Sequence, residues 1–214
     1  MDKQLQTILQ KSSLQAAPLL LGWILVRQTQ AGTIKLRVVE TEAYHQDDPA
    51  SHSFRGQTAR TAPMFEAGGR LYVYFTYGMH YCLNIVTGAR GRGEAVLIRA
   101  GEPLQGLEIM QENRFGNVTG STYHKNVKGP SFHNLANGPG KLTQALGIKD
   151  TSLSGEKFDP LSIYLEPPQK PIKAQDITTS PRIGIRRATD APWRFYLKDN
   201  SFVSKHPKAR HLGL

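Results

Sequence analysis

The chain has 214 residues, of which 39% are hydrophobic, and carries a formal net charge of +10. This length and apolar content predict a single folded domain over residues 1–214 and exclude a compositionally disordered chain. The basic excess indicates either a polyanionic partner, most commonly nucleic acid, or simple solubility, and it excludes neither.

Cys82 is the only cysteine, which excludes an internal disulfide and structural zinc sites built on cysteine pairs. A chain without disulfides suits a reducing compartment, so we expect a cytoplasmic protein. The N-terminal residues lack the basic start and apolar run of a signal peptide. The longest apolar stretch, 18–26, is far shorter than the ~20 residues that span a bilayer, so we expect no membrane association.

The first half of the chain is predicted to be mainly β structure after one short helix. Apolar residues at helical spacing indicate the helix, and strand-like runs separated by turn residues indicate hairpins. In order, the predicted elements are a helix at 2–10, strands at 20–27 and 34–42 joined by a turn at 31–33, a loop at 45–69, and a β segment at 71–85 interrupted at Tyr77-Gly78.

The second half mixes strands, helices and long loops. In order, we predict a strand at 94–99, a helix at 102–114 with Pro103 in its first turn, a loop at 115–140, a helix at 141–146 opened by Gly138-Pro139-Gly140, strands at 162–166, 182–187 and 193–197, and a loose basic tail at 205–211. Since most strands are connected as hairpins, the predicted fold class is mixed α/β (α+β), with a mostly antiparallel sheet.

Two acids on the second predicted strand are the first candidates for chemistry. Glu40 and Glu42 lie two residues apart and therefore share a face of the strand. A carboxylate near a strand end can act as a general base on water or stabilise a cationic transition state. The alternative is a solvated strand face that carries two acids.

The segment 71–85 is the second candidate, because it is rich in aromatic residues. Tyr77 and Met79 fall at the predicted hairpin tip, where large apolar side chains are unfavourable unless something covers them. In a basic protein the cover could be DNA, since such side chains wedge between base steps from the minor groove. Ordinary packing of aromatic residues in core strands is the alternative.

The remaining polar residues give weaker signals. The histidines and the lone cysteine show no metal-ligand spacing, and 88–93 does not fit a nucleotide-binding pattern, so we expect neither a metal nor a cofactor. Arg60 and Lys141 are candidates for DNA phosphate contacts, Lys141 because it lies at a predicted helix start. For each of them a solubilising surface charge is the alternative.

Taken together and in order, these segments resemble the alkyladenine (3-methyladenine) DNA glycosylase family, and the resemblance spans most of the chain. The matching stretches are VVETEAY (38–44), the His-Ser at 52–53, RGQTAR (55–60), MF (64–65), LYVYFTYGMHYCLNI (71–85), VLIRAGEPLQGLE (96–108), GPGKLTQAL (138–146), RIGI (182–185) and WRFYL (193–197). The fold that this resemblance implies is one domain around a curved antiparallel sheet, with a protruding β-hairpin that probes the minor groove.

The resemblance also implies roles in the reaction. Glu42 would be the general base that activates water at the anomeric carbon, and Arg99 and the backbone carbonyl of Ile183 would help to hold that water. Tyr44 would stack on one face of the flipped base. His52 and Tyr74 would lie on the other face.

Further roles concern the duplex. Tyr77, helped by Met79, would fill the gap left by the flipped base, while Asn84 would line the pocket floor and disfavour the exocyclic amine of normal guanine. Lys141 would contact phosphate. His80 stands where relatives show an aromatic residue at the hairpin tip, which is a departure from the family pattern.

The function that the resemblance implies is excision of damaged purines from double-stranded DNA in base excision repair. The expected enzyme is a monofunctional glycosylase that acts as a monomer on 3-methyladenine and 7-methylguanine, with hypoxanthine and ethenoadenine as further candidate substrates. The sequence leaves a non-catalytic nucleic-acid-binding domain as the alternative. An acyl- or formyl-transferring enzyme is disfavoured, because no Asn-His-Asp cluster lies near the aromatic hairpin.

Overall fold

A computed structural model of the protein describes residues 2–116 and 130–204. Its strands form one antiparallel, curved sheet with helices packed against it, and this confirms the predicted fold class. The strands are β1 (Ile24–Thr29), β2 (Gly32–Tyr44), β3 (Leu71–Thr76), β4 (His80–Val86), β5 (Ala95–Gln105), β6 (Ile163–Glu166), β7 (Ile177–Ser180) and β8 (Arg194–Leu197). The helices are α1 (Lys3–Leu9), α2 (Ser13–Leu19), α3 (Leu107–Phe115), α4 (Pro130–His133) and α5 (Pro139–Ala145), with short 3₁₀ turns at Ala62–Phe65 and Ala174–Asp176.

The long strand β2 organises the sheet. The strand order is β3-β4-β5-β2-β1-β6. β2 pairs with β5 along one side, and on the other side its first half pairs with β1 and its second half with β8, which in turn pairs with β7. Register shifts on both sides of Glu40 in the β2–β5 ladder are of the kind that bends and twists a strand. The predicted hairpins, β1–β2 and β3–β4, are both confirmed.

The N-terminal helix is as predicted, but a second helix that was not predicted, α2, precedes the predicted strand 20–27, and the first residues of that strand form a turn. The Asp2 carboxylate caps α1 by accepting from the Gln4 amide at 2.8 Å, and Leu5 of α1 faces the core. In α2, the Ser13 amide donates to Glu94 Oε2 at 2.6 Å. This partner of the helix start is remote in the sequence, so the local pattern did not indicate α2. Strand β1 begins only at Ile24.

The predicted helix over 102–114 is wrong in its first part. β5 continues through Pro103 to Gln105, and the helix begins only at Leu107. Pairing with β2 overrides the local helical pattern, and Pro103 is tolerated because it lies at a register shift, where a strand lacks one ladder bond. Gly106 makes the turn with a left-handed φ of 79°, and a Cβ there would lie 2.6 Å from the Thr33 carbonyl oxygen.

The predicted strand at 182–187 is also wrong. That segment is irregular and follows β7, and Gly184 has a φ of +79°, which a strand does not accommodate. The strands predicted at 162–166 and 193–197 are confirmed as β6 and β8. Of the loop predicted at 115–140, residues 117–129 lie outside the described residues, and 130–133 form α4. The tail predicted at 205–211 lies wholly outside them.

The hydrophobic core lies between the sheet and the helices. Side chains of α1, α2, α3 and α5 pack there against the inner residues of β1, β2, β4 and β5. Within the residues that the structure describes, no helix is both long enough and apolar enough to cross a membrane.

Candidate active site

A pocket of about 340 Å³ opens beside the second half of β2, and this volume lies within the range typical of ligand sites, ~300–1,000 Å³. Strands β2 to β5, the loop that follows β2 and the irregular segment 182–187 supply its walls. Seven residues singled out from the sequence line it: Tyr44, His52, Tyr74, Tyr77, Asn84, Arg99 and Ile183.

The Glu42 carboxylate lies directly behind this lining, and two hydrogen-bond donors and one cation hold it. The Ile183 amide donates to Oε1 at 2.7 Å and the Tyr44 hydroxyl donates to Oε2 at 2.8 Å. The guanidinium of Arg99 lies 3.2 Å from Oε1. The Ile183 amide thus holds the carboxylate itself, and the water-holding role expected of the Ile183 carbonyl stays a prediction.

Glu40 is a second buried carboxylate, and a solvated strand face is therefore the wrong interpretation of this pair. Both Glu40 and Glu42 have no exposed surface. Arg99 joins them, since its Nε donates to Glu40 at 2.9 Å while its Nη1 contacts Glu42. Glu40 also accepts from Arg194 and Ser204. Although burial alone raises the pKa of Glu40, the charges of Arg99 and Arg194 outweigh it, and that pKa is lowered.

Aromatic and imidazole rings form the pocket walls. Burial, together with the charge of Glu42, raises the pKa of the Tyr44 hydroxyl well above its ordinary value, so Tyr44 stays a donor to Glu42. Tyr74 and His52 are in edge contact, with ring centroids 4.5 Å apart and planes inclined at 75°. Because of this angle, only one of these two rings can lie flat against a planar base, and the other contacts the base by its edge.

His52 is held neutral in this wall. Its Nδ1 lies 2.9 Å from the hydroxyl of Tyr72, a buried residue. Burial, and then the nearby charge of Arg60, lowers the pKa of His52 from 6.5 to about 4. A neutral ring in this position does not repel a cationic ligand.

Two further pocket residues are buried in the sheet. Asn84 donates from Nδ2 to the Tyr72 carbonyl at 3.0 Å, which fixes its side-chain amide at the pocket floor. Cys82 also lines the pocket. Burial raises the pKa of its thiol, so the thiol is not activated as a nucleophile.

The tip of the β3–β4 hairpin exposes the two predicted wedge residues. Tyr77 is 76% exposed and Met79 is 66% exposed. Tyr77 has a left-handed φ of 52°, a strained conformation for a non-glycine residue. Its hydroxyl donates to the Gly184 carbonyl at 3.3 Å, across the mouth of the pocket. His80 is half-buried instead, and a Cβ on Gly140 would lie 2.9 Å from its ring.

The two candidate phosphate contacts lie outside the pocket lining. Arg60 is exposed, close enough to His52 to act on its pKa. Lys141 is in the first turn of α5, where its ammonium donates to Asn137 at 2.8 Å and to Asn134 at 3.3 Å. Burial lowers the pKa of Lys141 from its ordinary value.

An ion pair between Asp48 and Arg182, which sequence reasoning missed, lies behind Tyr44. Both side chains have no exposed surface, and two guanidinium nitrogens of Arg182 bond the two carboxylate oxygens of Asp48. The guanidinium lies 4.5 Å from the centre of the Tyr44 ring and 4.8 Å from that of Trp193. It also donates to the Ala43 carbonyl at 3.0 Å. The ion pair thus fixes the backbone that precedes Ile183.

Metal ligands are not grouped in the part of the chain that the structure describes. No three His, Cys, Asp or Glu side chains lie together there in a way that would hold an ion. The groups positioned around the pocket are a carboxylate, its donors and several rings. This set suits base chemistry on water and the binding of a flat ligand.

Comparisons with known proteins agree with this chemistry. A family model described as Methylpurine-DNA glycosylase (MPG) matches residues 7–201. A protein of Carboxydothermus hydrogenoformans is 47% identical over 186 residues, which cover 87% of this chain and 90% of its own. A protein of Francisella tularensis subsp. tularensis is 45% identical over 203 residues, covering 94% and 98%. One of Methanoculleus marisnigri is 42% identical over 198 residues, covering 92% and 95%.

Each of these three relatives bears the name "Putative 3-methyladenine DNA glycosylase". These matches define the class of protein as a DNA glycosylase, a hydrolase of DNA repair whose substrate is DNA. The chain belongs to the methylpurine-DNA glycosylase family. The family resemblance predicted from the sequence motifs is thereby confirmed.

Proposed function

We propose that the protein is a monofunctional glycosylase that flips alkylated purines, such as 3-methyladenine and 7-methylguanine, out of duplex DNA and hydrolyses the N-glycosidic bond. Deaminated or etheno purines are further substrates in this proposal. The observation that carries it is the Glu42 carboxylate, which two hydrogen bonds and the ion pair with Arg99 fix beside a pocket walled by Tyr44, His52 and Tyr74.

The pocket suits the charge of an alkylated purine. Alkylation at a ring nitrogen makes the base cationic, and aromatic faces attract a cation through their electron-rich π systems. The Tyr44 and Tyr74 hydroxyls stay neutral, because burial raises both pKa values well above the ordinary range. His52 is neutral as well, with its pKa lowered to about 4. A base that enters between these groups meets π faces and neutral dipoles.

The carboxylate suits the bond-breaking step. As the glycosidic bond breaks, positive charge develops on the sugar, and Glu42 stabilises that charge electrostatically. Water then attacks the anomeric carbon while Glu42 accepts its proton, so that the products are the free base and an abasic sugar. Donors on both oxygens of Glu42 orient the carboxylate for this transfer before the substrate arrives.

The distribution of lysines favours water as the nucleophile. Strand scission by a glycosylase requires an amine that forms a Schiff base with the sugar. The sequence contains no lysine between Arg37 and Glu112, the segment that supplies most of the pocket. Lys141 lies outside the pocket lining and its ammonium donates to two asparagines. The proposed product is therefore an intact abasic strand.

Release of free bases tests the proposal. Duplexes carrying 7-methylguanine or hypoxanthine, and an undamaged duplex of the same sequence, are incubated with the protein, and released bases are resolved by chromatography. We expect free 7-methylguanine and no base from the undamaged duplex. Tight binding of the lesion duplex without release of any base would refute the proposal and favour a non-catalytic DNA-binding domain.

A further inference from the structure

We propose that the buried Asp48–Arg182 pair determines how well the pocket accepts a cationic base relative to a neutral one. The inference rests on the proposed function, because it takes Tyr44 as a wall against which the flipped base stacks. Neither residue of the pair is among those that line the pocket, within the part of the chain that the structure describes. They act through the ring that lies between them and the base.

Arg182 lies against one face of the Tyr44 ring. Its guanidinium lies 4.5 Å from the Tyr44 ring centre and occupies one face of that ring. Tyr44 lines the pocket, whereas Arg182 is completely buried. The face of Tyr44 that is free to stack on a base is therefore the opposite one, and a positive charge lies directly behind it.

The buried ionic groups around the pocket balance in charge, although the lining also includes the cations Arg186 and Arg187. Three carboxylates and three guanidinium groups are linked there by buried ion pairs, so that their formal charges sum to zero: Glu40, Glu42 and Asp48 with Arg99, Arg182 and Arg194. The whole protein carries +10, a charge that by itself disfavours a cationic ligand. Asp48 is the acid that balances the guanidinium behind Tyr44.

The Asp48–Arg182 pair affects the pocket through its charges. A buried ion pair is weak evidence for stability, because desolvation offsets much of the attraction. The consequence of the pair for the pocket is electrostatic. Without Asp48, the positive charge of Arg182 would be unbalanced and would act on the base across the Tyr44 ring. Without Arg182, an uncompensated carboxylate would lie there instead. The two losses should therefore change the preference for a cationic base in opposite directions.

The size of the effect follows from the distances. The Arg182 guanidinium is 4.5 Å from the centre of the Tyr44 ring. A base stacked on the other face of the ring lies about 3.5 Å from it, and Asp48 lies within about 4 Å of the guanidinium. Asp48 then lies at most about 12 Å from the stacked base. At an effective dielectric constant of about 20, a unit charge at this distance changes an affinity about tenfold.

The test measures binding, with Glu42→Gln in every variant so that the substrate stays intact. Dissociation constants are determined for duplexes that carry cationic 7-methylguanine or neutral hypoxanthine, and the ratio of the two affinities is compared between variants. Asp48→Asn is expected to lower the preference for 7-methylguanine about tenfold, and Arg182→Gln is expected to raise it. The double variant has the same net charge around the pocket as the Glu42→Gln parent, so it is expected to restore the parent's preference.

Asp47→Asn is the matched control. It removes the same charge from the neighbouring residue, but Asp47 lies on the surface, where it pairs with Arg92 and its side chain is 70% exposed. The preference of this variant for 7-methylguanine over hypoxanthine should equal that of the Glu42→Gln parent. The proposal is overturned if Asp48→Asn and Arg182→Gln leave the preference unchanged or shift it in the same direction, as a purely structural role would. If the unmodified protein releases neither base, the proposed function itself fails, whatever the ratio.

Discussion

Replacement of Glu42 by glutamine is the most direct perturbation of the proposed chemistry. Glutamine has nearly the same shape, and its Oε1 can still accept from the Ile183 amide, as the carboxylate does at 2.7 Å, and can lie at the same 3.2 Å from Arg99. At the other position the new amide can donate to the Tyr44 oxygen, which reverses the present bond of 2.8 Å. The pocket should therefore keep its form and its affinity for lesion DNA.

The expected loss is in the chemical step. A positioned general base contributes roughly 10²- to 10⁴-fold, so we expect Glu42→Gln to slow excision at least ~100-fold, or about 2.7 kcal/mol of transition-state stabilisation. The variant also loses the negative charge that faces the developing sugar cation. For this reason the ~100-fold loss of excision rate is a minimum.

Single-turnover excision at saturating enzyme measures this step without a contribution from product release, and a binding titration checks the affinity. Glu40→Gln is the matched control: it is the same substitution on the same strand, but Glu40 reaches the Glu42 carboxylate through Arg99. We expect its effect on excision to be much milder. If Glu40→Gln proved the more damaging of the two, Glu42 would not be the base.

Three further outcomes are expected. Tyr77→Ala should weaken binding to lesion duplexes more than it slows single-turnover excision, because Tyr77 is exposed at the hairpin tip; unchanged affinity would exclude a wedge role. Borohydride added during turnover should trap no covalent protein–DNA adduct, and an adduct that disappears in Lys141→Ala would instead identify an amine nucleophile. The depressed pKa of His52, about 4 against 6.5, stabilises the fold above pH 6.5, and this contribution is lost as the pH falls towards 4. Denaturant unfolding over this range should thus show a smaller pH dependence for His52→Gln than for the parent, and equal slopes would contradict the assigned cause.

Local sequence pattern predicted the elements that carry most of the site. The strand that leads to Glu42 alternates apolar and basic residues over 34–38, and it forms where predicted, as does the aromatic hairpin with its tip at Tyr77. The positions of the pocket residues follow from these strands, because the pairing between neighbouring strands determines which side chains lie side by side. Asn84, for example, pairs with Leu97 of β5 and so comes to lie beside Arg99.

Other features depend on partners far away in the chain, and local pattern could not reveal them. The segment 182–187 alternates polar and apolar residues as a strand would, but it is irregular, and its Arg182 pairs with the remote Asp48. β5 passes through Pro103 because β2 is long enough to pair with it. The burial of Glu40 depends on Arg194 and Ser204, residues near the other end of the described chain. In each case a long-range contact overrides a local propensity.

The placement of the two tryptophans offers an intrinsic optical signal. Trp23 is 1% exposed in the hydrophobic core, where its emission should be insensitive to events at the surface. Trp193 lies against the guanidinium of Arg182 at 4.8 Å and the ring of His45 at 4.8 Å, and it is separated from the Tyr44 wall only by that guanidinium. Indole emission responds to nearby charge. The unlabelled protein therefore contains one constant and one responsive fluorophore, which makes stopped-flow recording of pocket occupancy practicable.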